Sequence, residues 1–489
     1  MSTRHALLVT VASVLGCATG RAAPSPAATA QSAPPPAATP VQRDTAPAVP
    51  PGPGAVSAPN SDPFASTYRP VPSGPVAIRN ATIFTAAGPV IANGTIVLRD
   101  GRIAAVGADV PVPPDARVID GTGKFVTPGI IDTHSHLGVY AAPGGDALSD
   151  GNEMSNPSTP QVWAEHSVWP QDPQFPRALS AGVTTIQILP GSANLFGGRS
   201  VVLKVVPSRT VQGMKFPGAK YGLKMACGEN PKRVYAQRGL MTRMGNVAGY
   251  RAQWIQAEQY RRRWDKWLAG DRKGDPPARD LAMETLADVL RGNILVHNHC
   301  YRADEMAQMI DIAKEFGYSI KSFHHGVEAY KVADLLAANG ISASVWSDWG
   351  GFKIEAMDGV RGNLALLHNA GARTIVHSDD PNGMQRLNQD AAKGISEGRE
   401  LGIRIPEEEA IKWITINPAW ALGLDDRIGS LVAGKNADVV LWDRNPFSVY
   451  ARAEKVFVDG AMLFDRLDPS QRWRTDFELG YVPGPGGAR

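Results

Sequence analysis

Histidines follow apolar, strand-like runs at four places in this chain of 489 residues. Neutral imidazole is the commonest metal ligand in proteins, and a histidine placed where a buried strand meets a loop can hold an ion in a cleft. Seven of the ten histidines stand in such positions: His134, His136, His297, His299, His324, His325 and His377. The pattern predicts a metal-dependent enzyme.

Two of these runs end in histidine pairs that are spaced two residues apart. Residues i and i+2 of a strand point to the same face, so His134 and His136 can both reach one ion. His297 and His299 form a second pair of this kind. The last run adds a carboxylate, Asp379, which can act as a ligand, a proton acceptor, or both.

Charge and length exclude some classes of protein. The 50 Lys and Arg residues nearly balance the 47 Asp and Glu residues, which leaves a net charge of +3. Such a balance of charge does not favour binding to a polyanion, and we predict no nucleic-acid partner. The length suits a large barrel with an accessory domain.

The first 17 residues resemble a secretory signal peptide. Arg4 and His5 precede an apolar stretch at 6–16, which is too short to span a bilayer as a mature helix. The stretch ends in Val-Leu-Gly-Cys, which resembles a bacterial lipobox whose cysteine, here Cys17, becomes the acylated first residue. Ordinary cleavage after Arg21-Ala22-Ala23 is the alternative. Both predict export to the periplasm, with membrane contact only through a lipid anchor.

Residues 18–72 are rich in Pro, Ala and Ser, and we predict a semi-extended tether there. Beyond this stretch, Cys227 and Cys300 are the remaining cysteines. Two buried-looking cysteines, each beside a motif, favour free core thiols over a bridge, although an exported protein can form one.

The two ends of the folded part show short β-branched runs broken by turns. Those in 73–127 and 424–466 predict the two halves of one small β domain with an antiparallel sheet. Residues 128–423 would then be an insertion between these halves, and 467–489 a C-terminal tail.

The insertion alternates apolar strand-like runs with amphipathic helical stretches, which is typical of repeated βα units and a parallel sheet. Seven clear strands and one weak strand predict an α/β fold with a (β/α)8 barrel. Catalytic groups lie at the C-terminal ends of such strands, where the histidines fall. Residues 238–290 do not follow this alternation, and their pattern predicts a solvated helical excursion with aromatic anchors. A cap over the active-site mouth is the alternative.

Together these residues resemble the amidohydrolase superfamily, specifically its imidazolonepropionase-like branch with the Xaa-Pro dipeptidases and related carboxypeptidases. The resemblance covers about 76–465 and implies a (β/α)8 metal-dependent hydrolase barrel with a composite β-sandwich. The segments that carry it, besides the later histidine strands, are 127–136, 181–185, Ser378-Asp379, 415–419, 429–431 and 434–438.

The resemblance also implies zinc or a similar divalent ion, one or two per chain. Its ligands are the first histidine pair, one histidine from each of two later strands, and a final aspartate. Carried over, these are His134, His136, His297, His325 and Asp379. His297 is chosen over His299 because family ligands commonly lie at the first histidine of such a pair. His325, beside Gly326, is chosen over His324.

Two residues are candidates for a further ligand that would bridge two ions. Gly222-Leu223-Lys224-Met225 resembles the strand of members that use a lysine carboxylated on its amine, whereas other members use a glutamate, here Glu229, or none. We favour Lys224, because an ordinary lysine facing inward without a partner would be costly.

The implied chemistry is hydrolysis of an amide or cyclic amide carbon–nitrogen bond. A divalent ion lowers the pKa of bound water from near 16 to roughly 7 and so supplies hydroxide at neutral pH. A second ion, or neutral His299 or His325, would polarise the scissile carbonyl. Asp379 would take the proton of the attacking water and pass it to the departing nitrogen.

The substrate is predicted to be a small molecule or short peptide, with a dipeptide or an N-acyl amino acid favoured by export. Tyr140 and Arg199 lie just beyond strand-end motifs and are candidate substrate-binding residues. Arg199 could clamp a carboxylate with its planar fork, and a surface salt bridge is the alternative for it. The oligomeric state stays open, a homo-oligomer included.

Two other functions are weighed against hydrolysis of an amide. A deaminase would use the same residues on a heterocycle and would release ammonia. A non-catalytic periplasmic binding protein would lack ligands, yet all five core ligands are present in the sequence.

Overall fold

Two eight-stranded sheets organise the chain. In the computed structural model, the described residues are 53–54, 57–239, 241–270, 272, 274–471, 473 and 475. The predicted signal peptide at 1–17, most of the predicted tether and most of the predicted tail lie outside the described residues. No helix of the described ranges is long and apolar enough to span a bilayer.

The strands and helices alternate through the middle of the chain. The strands are β1 Val76–Ile83, β2 Ile91–Arg99, β3 Arg102–Gly107, β4 Arg117–Asp120, β5 Phe125–Pro128, β6 Ile130–Ser135, β7 Val183–Ile188, β8 Phe196–Lys204, β9 Gly222–Ala226, β10 Leu295–Cys300, β11 Ile320–His325, β12 Ser342–Val345, β13 Arg373–Val376, β14 Val439–Trp442, β15 Ala453–Val458 and β16 Ala461–Asp465. The α-helices are α1 Gln174–Ser180, α2 Val211–Met214, α3 Glu229–Val234, α4 Arg243–Ala269, α5 Leu281–Leu290, α6 Ala303–Phe316, α7 Ala333–Ala338, α8 Asn363–Asn369, α9 Leu387–Glu400, α10 Glu407–Ala410 and α11 Ile416–Ala421.

The first sheet joins the two ends of the folded chain, as predicted. Its order is β16-β15-β14-β5-β1-β2-β3, with β4 also paired to β1. The halves meet where β5 and β14 run antiparallel, with Val440 opposite Thr127. The expected purely antiparallel sheet is wrong, because β1 pairs with β4 and β5 in parallel. The chain leaves β3, crosses over and returns beside β1 in the same direction.

The second sheet is a nearly closed barrel in the order β13-β12-β11-β10-β9-β8-β7-β6. Its strands are parallel with one exception, since β8 runs antiparallel to both β7 and β9. The connection from β7 to β8 is only residues 189–195. A crossover between parallel strands needs about a dozen residues or more, so a connection of this length forces the chain to reverse. The uniform (β/α)8 pattern expected from the sequence is corrected at this strand.

A seam between β6 and β13 closes the barrel without a strand ladder among the described residues. The backbone N–H of Asp379 donates to the His134 carbonyl at 2.9 Å. The buried carboxylate of Asp132 accepts from the backbone N–H of Ser378 at 3.2 Å and from its hydroxyl, and also from the N–H of His134 at 3.1 Å. Burial raises the pKa of Asp132 to about 7. These bonds hold the two strand ends together.

Helices α4 and α5 form the excursion predicted at 238–290. The buried indole of Trp254 lies 4.4 Å from the Tyr318 ring and 5.4 Å from the Phe196 ring, measured between centroids. The Tyr250 hydroxyl donates to the Ala226 carbonyl at 2.5 Å. Aromatic side chains therefore anchor α4 against the strands, in line with the first of the two interpretations.

The last part of the predicted tether packs on the barrel, which corrects its expected extent. Asp62 pairs with Lys215 at 2.7 Å, and the Phe64 ring lies 5.6 Å from that of Trp163. Tyr68 is buried. The aromatic side chains of this part bury apolar surface that the Pro/Ala-rich composition does not provide.

The two later cysteines form a disulfide, so the prediction of free thiols is wrong. Cys227 directly follows β9 and Cys300 is the last residue of the neighbouring β10, with their Cα atoms 5.3 Å apart. This separation lies within the range that a disulfide requires.

We expect Asp132→Ala to lower the free energy of unfolding by about 2–4 kcal/mol, because two buried N–H groups lose their acceptor. Denaturant unfolding measures the change. Asp120→Ala is the matched control, since Asp120 accepts from Thr122 and Asn80 at an exposed site. Equal changes in the two variants would show that the seam does not stabilise the barrel.

Candidate metal centre

Three strand ends bring ligand atoms together inside the barrel. The Nε2 atoms of His134 and His136 lie 3.3 Å and 3.2 Å from Oδ1 of Asp379. A second group contains His134, His325 and His377, with His325 Nδ1 3.0 Å from His377 Nε2. Within each group the ligand atoms lie within 4.8 Å of one another. Four of the five predicted core ligands therefore converge, and His377 joins them.

Left-handed backbone at two positions makes this arrangement possible. His325 has φ 70° and Asp379 has φ 65°. In a regular strand the adjacent His324 and His325 would point to opposite faces, yet both imidazoles contact histidines inside the barrel. Such conformations cost energy in residues other than glycine and cluster at functional sites.

The histidine pair of β10 is divided between two depths. His297 Nδ1 lies 2.9 Å from Nε2 of His324, whose Nδ1 is 2.9 Å from His134 Nδ1. His297 belongs to neither ligand group. His299 lines the main cavity, and its ring centroid is 4.6 Å from that of His325. The structure thus brings His299 to the cavity, whereas the resemblance favoured His297.

Lys224 lies at the centre of the site and is fully buried. Its Nζ is 3.2 Å from His134 Nε2, and no carboxylate in the described ranges comes within 4.0 Å of it. Burial lowers the pKa of this ammonium group to about 7, and the nearby Asp379 acts in the opposite direction. A buried lysine without a counter-ion fits a residue that is modified in the active protein.

Glu229 lies at the edge of the site, at the start of α3. Its backbone N–H donates to Glu355 at 2.8 Å, while its own Oε1 is buried without a hydrogen-bond partner. Glu229 is absent from both ligand groups. Of the two candidate bridging residues, only Lys224 contacts a predicted ligand.

The residues present fit a divalent ion. Burial keeps the pKa of the interior imidazoles low, so that they are neutral and able to bind a metal. The pKa is lowered to about 3 for His297, to about 4 for His377, and well below its usual value for His134, His299, His324 and His325. Three imidazole nitrogens of the described residues are buried without a hydrogen-bond partner: His297 Nε2, His299 Nδ1 and His377 Nδ1. Buried polar atoms normally have partners, so these free nitrogens indicate room for a cation.

A cavity of about 490 Å³ opens from this centre to solvent. Its inner end is formed by His299, His325 and Asp379. The rest of its wall is aromatic and polar: Ser192, Asn230, Tyr301, Trp346, Asp348, Trp349, Gly350, Phe352 and Lys353. Of the described residues in 238–290, none lines this cavity.

The two predicted substrate-binding residues differ in position. Tyr140 lies beside the centre, with its ring 5.6 Å from that of His136 and its hydroxyl accepting from Asn152 at 2.6 Å. Arg199 lies within strand β8, and its side chain does not line the cavity. Its guanidinium donates to Thr285 at 2.8 Å and lies 4.1 Å from the Trp163 ring centroid. Arg199 is therefore a buried packing residue and neither a carboxylate clamp nor a surface salt bridge.

Sequence reasoning missed several residues of the site. His377 could have been included as a ligand, because it precedes Asp379 by two residues, the spacing that revealed the first histidine pair. Asn230 and Lys353 belong to no recognisable motif, and only the structure places them at the cavity.

We expect the metal-free protein to lose stability as the pH falls below about 6.5. The unfolded chain binds protons at the ordinary histidine pKa of about 6.5, whereas folded His297 and His377 bind them only near 3 and 4. The stability these groups contribute is therefore present above pH 6.5 and is lost as the pH falls towards 3. Asp132 has the opposite effect on stability, because its pKa is raised in the folded protein, but it is only one group.

Denaturant unfolding at pH 7.5 and pH 5.5 in the presence of a chelator measures this dependence. His297→Gln should show a shallower change than the parent protein, since one titrating group is removed. Equal stability at the two pH values would mean that the interior imidazoles are not held neutral.

Comparisons with known proteins agree with the fold described above. The model of the amidohydrolase family matches residues 125–463. The amidohydrolase tasK of Hapsidospora irregularis is 34% identical over 400 residues, covering 76% of this chain, which spans only 40% of that protein. Imidazolonepropionase of Mesorhizobium japonicum is 24% identical over 408 residues, covering 75% of this chain and 91% of that protein.

A solved structure agrees with these sequence matches. The crystal structure of an amidohydrolase from Thermotoga maritima superposes with a TM-score of 0.74 and 37% identity, covering 80% of this chain and 100% of that chain. The chain therefore belongs to the amidohydrolase family and is an enzyme that hydrolyses carbon–nitrogen bonds.

Proposed function

We propose that this protein is an exported, zinc-dependent amidohydrolase that cleaves an amide or cyclic amide bond in a dipeptide, an N-acyl amino acid or a similar small molecule. The observation that carries the proposal is the convergence of His134, His136 and Asp379: both imidazoles place Nε2 within 3.3 Å of the Asp379 carboxylate, which lines an open cavity. The family of the chain supports the class of bond that is cleaved.

The first ion would be held by His134, His136 and Asp379, and a second by His299 and His325, with Lys224 bridging the two once it is carboxylated. His377 is a further candidate ligand beside His325. A divalent ion in this position lowers the pKa of water and polarises a carbonyl group.

Asp379 is the residue that moves the proton. Its carboxylate lines the cavity, with Oδ1 near the first histidine pair and Oδ2 4.0 Å from His325 Nδ1. It takes a proton from the attacking water and delivers it to the departing nitrogen. The scissile carbonyl would be polarised by a second ion or, with only one ion bound, by neutral His299 or His325, whose pKa burial keeps low. Asn230 orients His299 through a 3.2 Å contact with Nε2.

The Cys227–Cys300 disulfide supports the export part of the proposal. Disulfides persist in oxidising compartments such as the periplasm and are rare in the cytosol. The apolar stretch at 6–16 agrees with this location, and lipidation of Cys17 would anchor the protein to a membrane.

We expect Asp379→Asn to keep most of its metal and to lose about a hundredfold to ten-thousandfold in turnover. The amide retains one coordinating oxygen but cannot carry a proton. The measurements are the metal content of each protein and the rates on a panel of dipeptides, N-acyl amino acids and heterocyclic amines.

Asp380→Asn is the matched control, because an amide oxygen can still accept from the backbone N–H groups of Asn382 and Gly383. Normal turnover in Asp379→Asn, or a larger loss in Asp380→Asn, would contradict the assignment. Ammonia release from a heterocycle without cleavage of any amide would identify a deaminase instead.

We expect bicarbonate to raise the amount of metal bound during reconstitution, because carboxylation of Lys224 creates an anionic bridging ligand. Native mass spectrometry should place the added mass on this lysine. Lys224→Ala should abolish the bicarbonate effect, and Glu229→Gln should preserve it. Loss of the second ion in Glu229→Gln but not in Lys224→Ala would make Glu229 the bridging residue.

A further inference from the structure

The charged side chains that line the main cavity are balanced except for one. Asp379 lies against the histidines of the centre, and Asp348 pairs with Lys393 at 2.8 Å. Lys353 also lines the cavity, but within the described part of the chain no carboxylate lies within 4.0 Å of its Nζ. Its hydrogen-bond acceptor is the neutral amide oxygen of Asn230 at 3.0 Å. An ammonium group in this position can accept an anionic ligand without breaking an ion pair.

Lys353 is linked directly to the metal centre. The Nδ2 atom of Asn230 lies 3.2 Å from His299 Nε2 and 2.9 Å from the Ser192 hydroxyl. Two hydrogen bonds therefore separate the ammonium group from an imidazole at the inner end of the cavity. A ligand that places a carboxylate a few bonds from its amide can reach both groups.

Aromatic rings surround the same ammonium group. Its Nζ lies 5.0 Å from the Tyr301 ring centroid and 5.3 Å from that of Phe352. The Trp346 ring extends this wall, 5.7 Å from Phe352 and 5.1 Å from Trp349. Trp349 and Phe352 are 42% and 50% exposed, so large apolar faces remain open to a ligand. Burial of such faces by an apolar side chain is favourable.

We infer that Lys353 binds the α-carboxylate of the substrate and that Trp346, Trp349 and Phe352 contact its apolar side chain. The preferred substrates are N-acyl amino acids or dipeptides with a free carboxylate and a large apolar C-terminal residue. This inference rests on the proposed function, since it names the substrate class of the same site. The sequence suggested Arg199 as the carboxylate-binding residue, but Arg199 is buried elsewhere. The inference assigns this role to Lys353 in the loop after β12.

The test compares N-acetyl-L-phenylalanine with its carboxamide, which lacks the negative charge. The parent enzyme should show a kcat/KM at least about tenfold higher for the acid, because a charge-assisted hydrogen bond is stronger than a neutral one. Lys353→Met should lower kcat/KM for the acid by about 10- to 100-fold and change that for the carboxamide less than about twofold. Lys353→Arg should restore part of the preference.

Lys331→Met is the matched control, since Lys331 pairs with Asp358 at an exposed position outside the lining of this cavity. It should leave the preference for the acid unchanged. Phe352→Ala should lower kcat/KM more for N-acetyl-L-phenylalanine than for N-acetyl-L-alanine. Equal use of acid and carboxamide by the parent enzyme overturns the inference, even if Lys353→Met does not fold.

Binding separates this inference from the proposed function. Calorimetry of the full-length, metal-loaded Asp379→Asn protein should give tighter binding of N-acetyl-L-phenylalanine than of its carboxamide, and Lys353→Met in the same background should remove the difference. Binding that depends on Lys353 without hydrolysis by the parent enzyme would refute the function and keep the subsite. Hydrolysis without any dependence on Lys353 would refute the subsite and keep the function.

Discussion

The bonds between the first and last barrel strands are the constraint on which the centre depends. Strands β6 and β13 do not form a ladder, so Asp132, Ser378 and the backbone of Asp379 make the closure. The N–H of Asp379 donates to the His134 carbonyl, and its carboxylate reaches the imidazoles of His134 and His136. One set of contacts thus closes the barrel and brings the Asp379 carboxylate against the imidazoles of His134 and His136.

Burial sets the chemical state of the groups that this closure brings together. Removing imidazoles from water disfavours their protonated form, and each one disfavours the charge of its neighbours. The result is a cluster of neutral histidines around Lys224, with several ring nitrogens lacking partners. A protein interior rarely leaves such atoms unpaired, and a bound cation is the partner that their chemistry suits.

The residues at the mouth of the site come from a different part of the fold than those at its centre. The candidate ligands lie at or just after the ends of barrel strands, whose positions are fixed by the barrel, whereas Trp349, Phe352 and Lys353 come from the loop after β12. Barrel enzymes commonly keep their chemistry on strand ends and vary substrate choice through loops. We infer that this aromatic wall and Lys353, which has no carboxylate partner within 4.0 Å among the described residues, distinguish one substrate from another.

The sequence by itself determined the barrel, the joining of the two chain ends in one sheet, and most of the side chains that converge at the candidate centre, because alternation along a strand fixes which side chains share a face. Only the tertiary structure determined how deep each side chain lies in the barrel and which segments distant in sequence meet. His297 and His299 share a face, and their depth in the barrel separates them. Cys227 and Cys300 are separated by 73 residues and meet because β9 and β10 are neighbours. Arg199 packs against Thr285 of α5, and Lys353 reaches the cavity beside Asn230; both positions depend on contacts between segments distant in sequence, which local periodicity does not record.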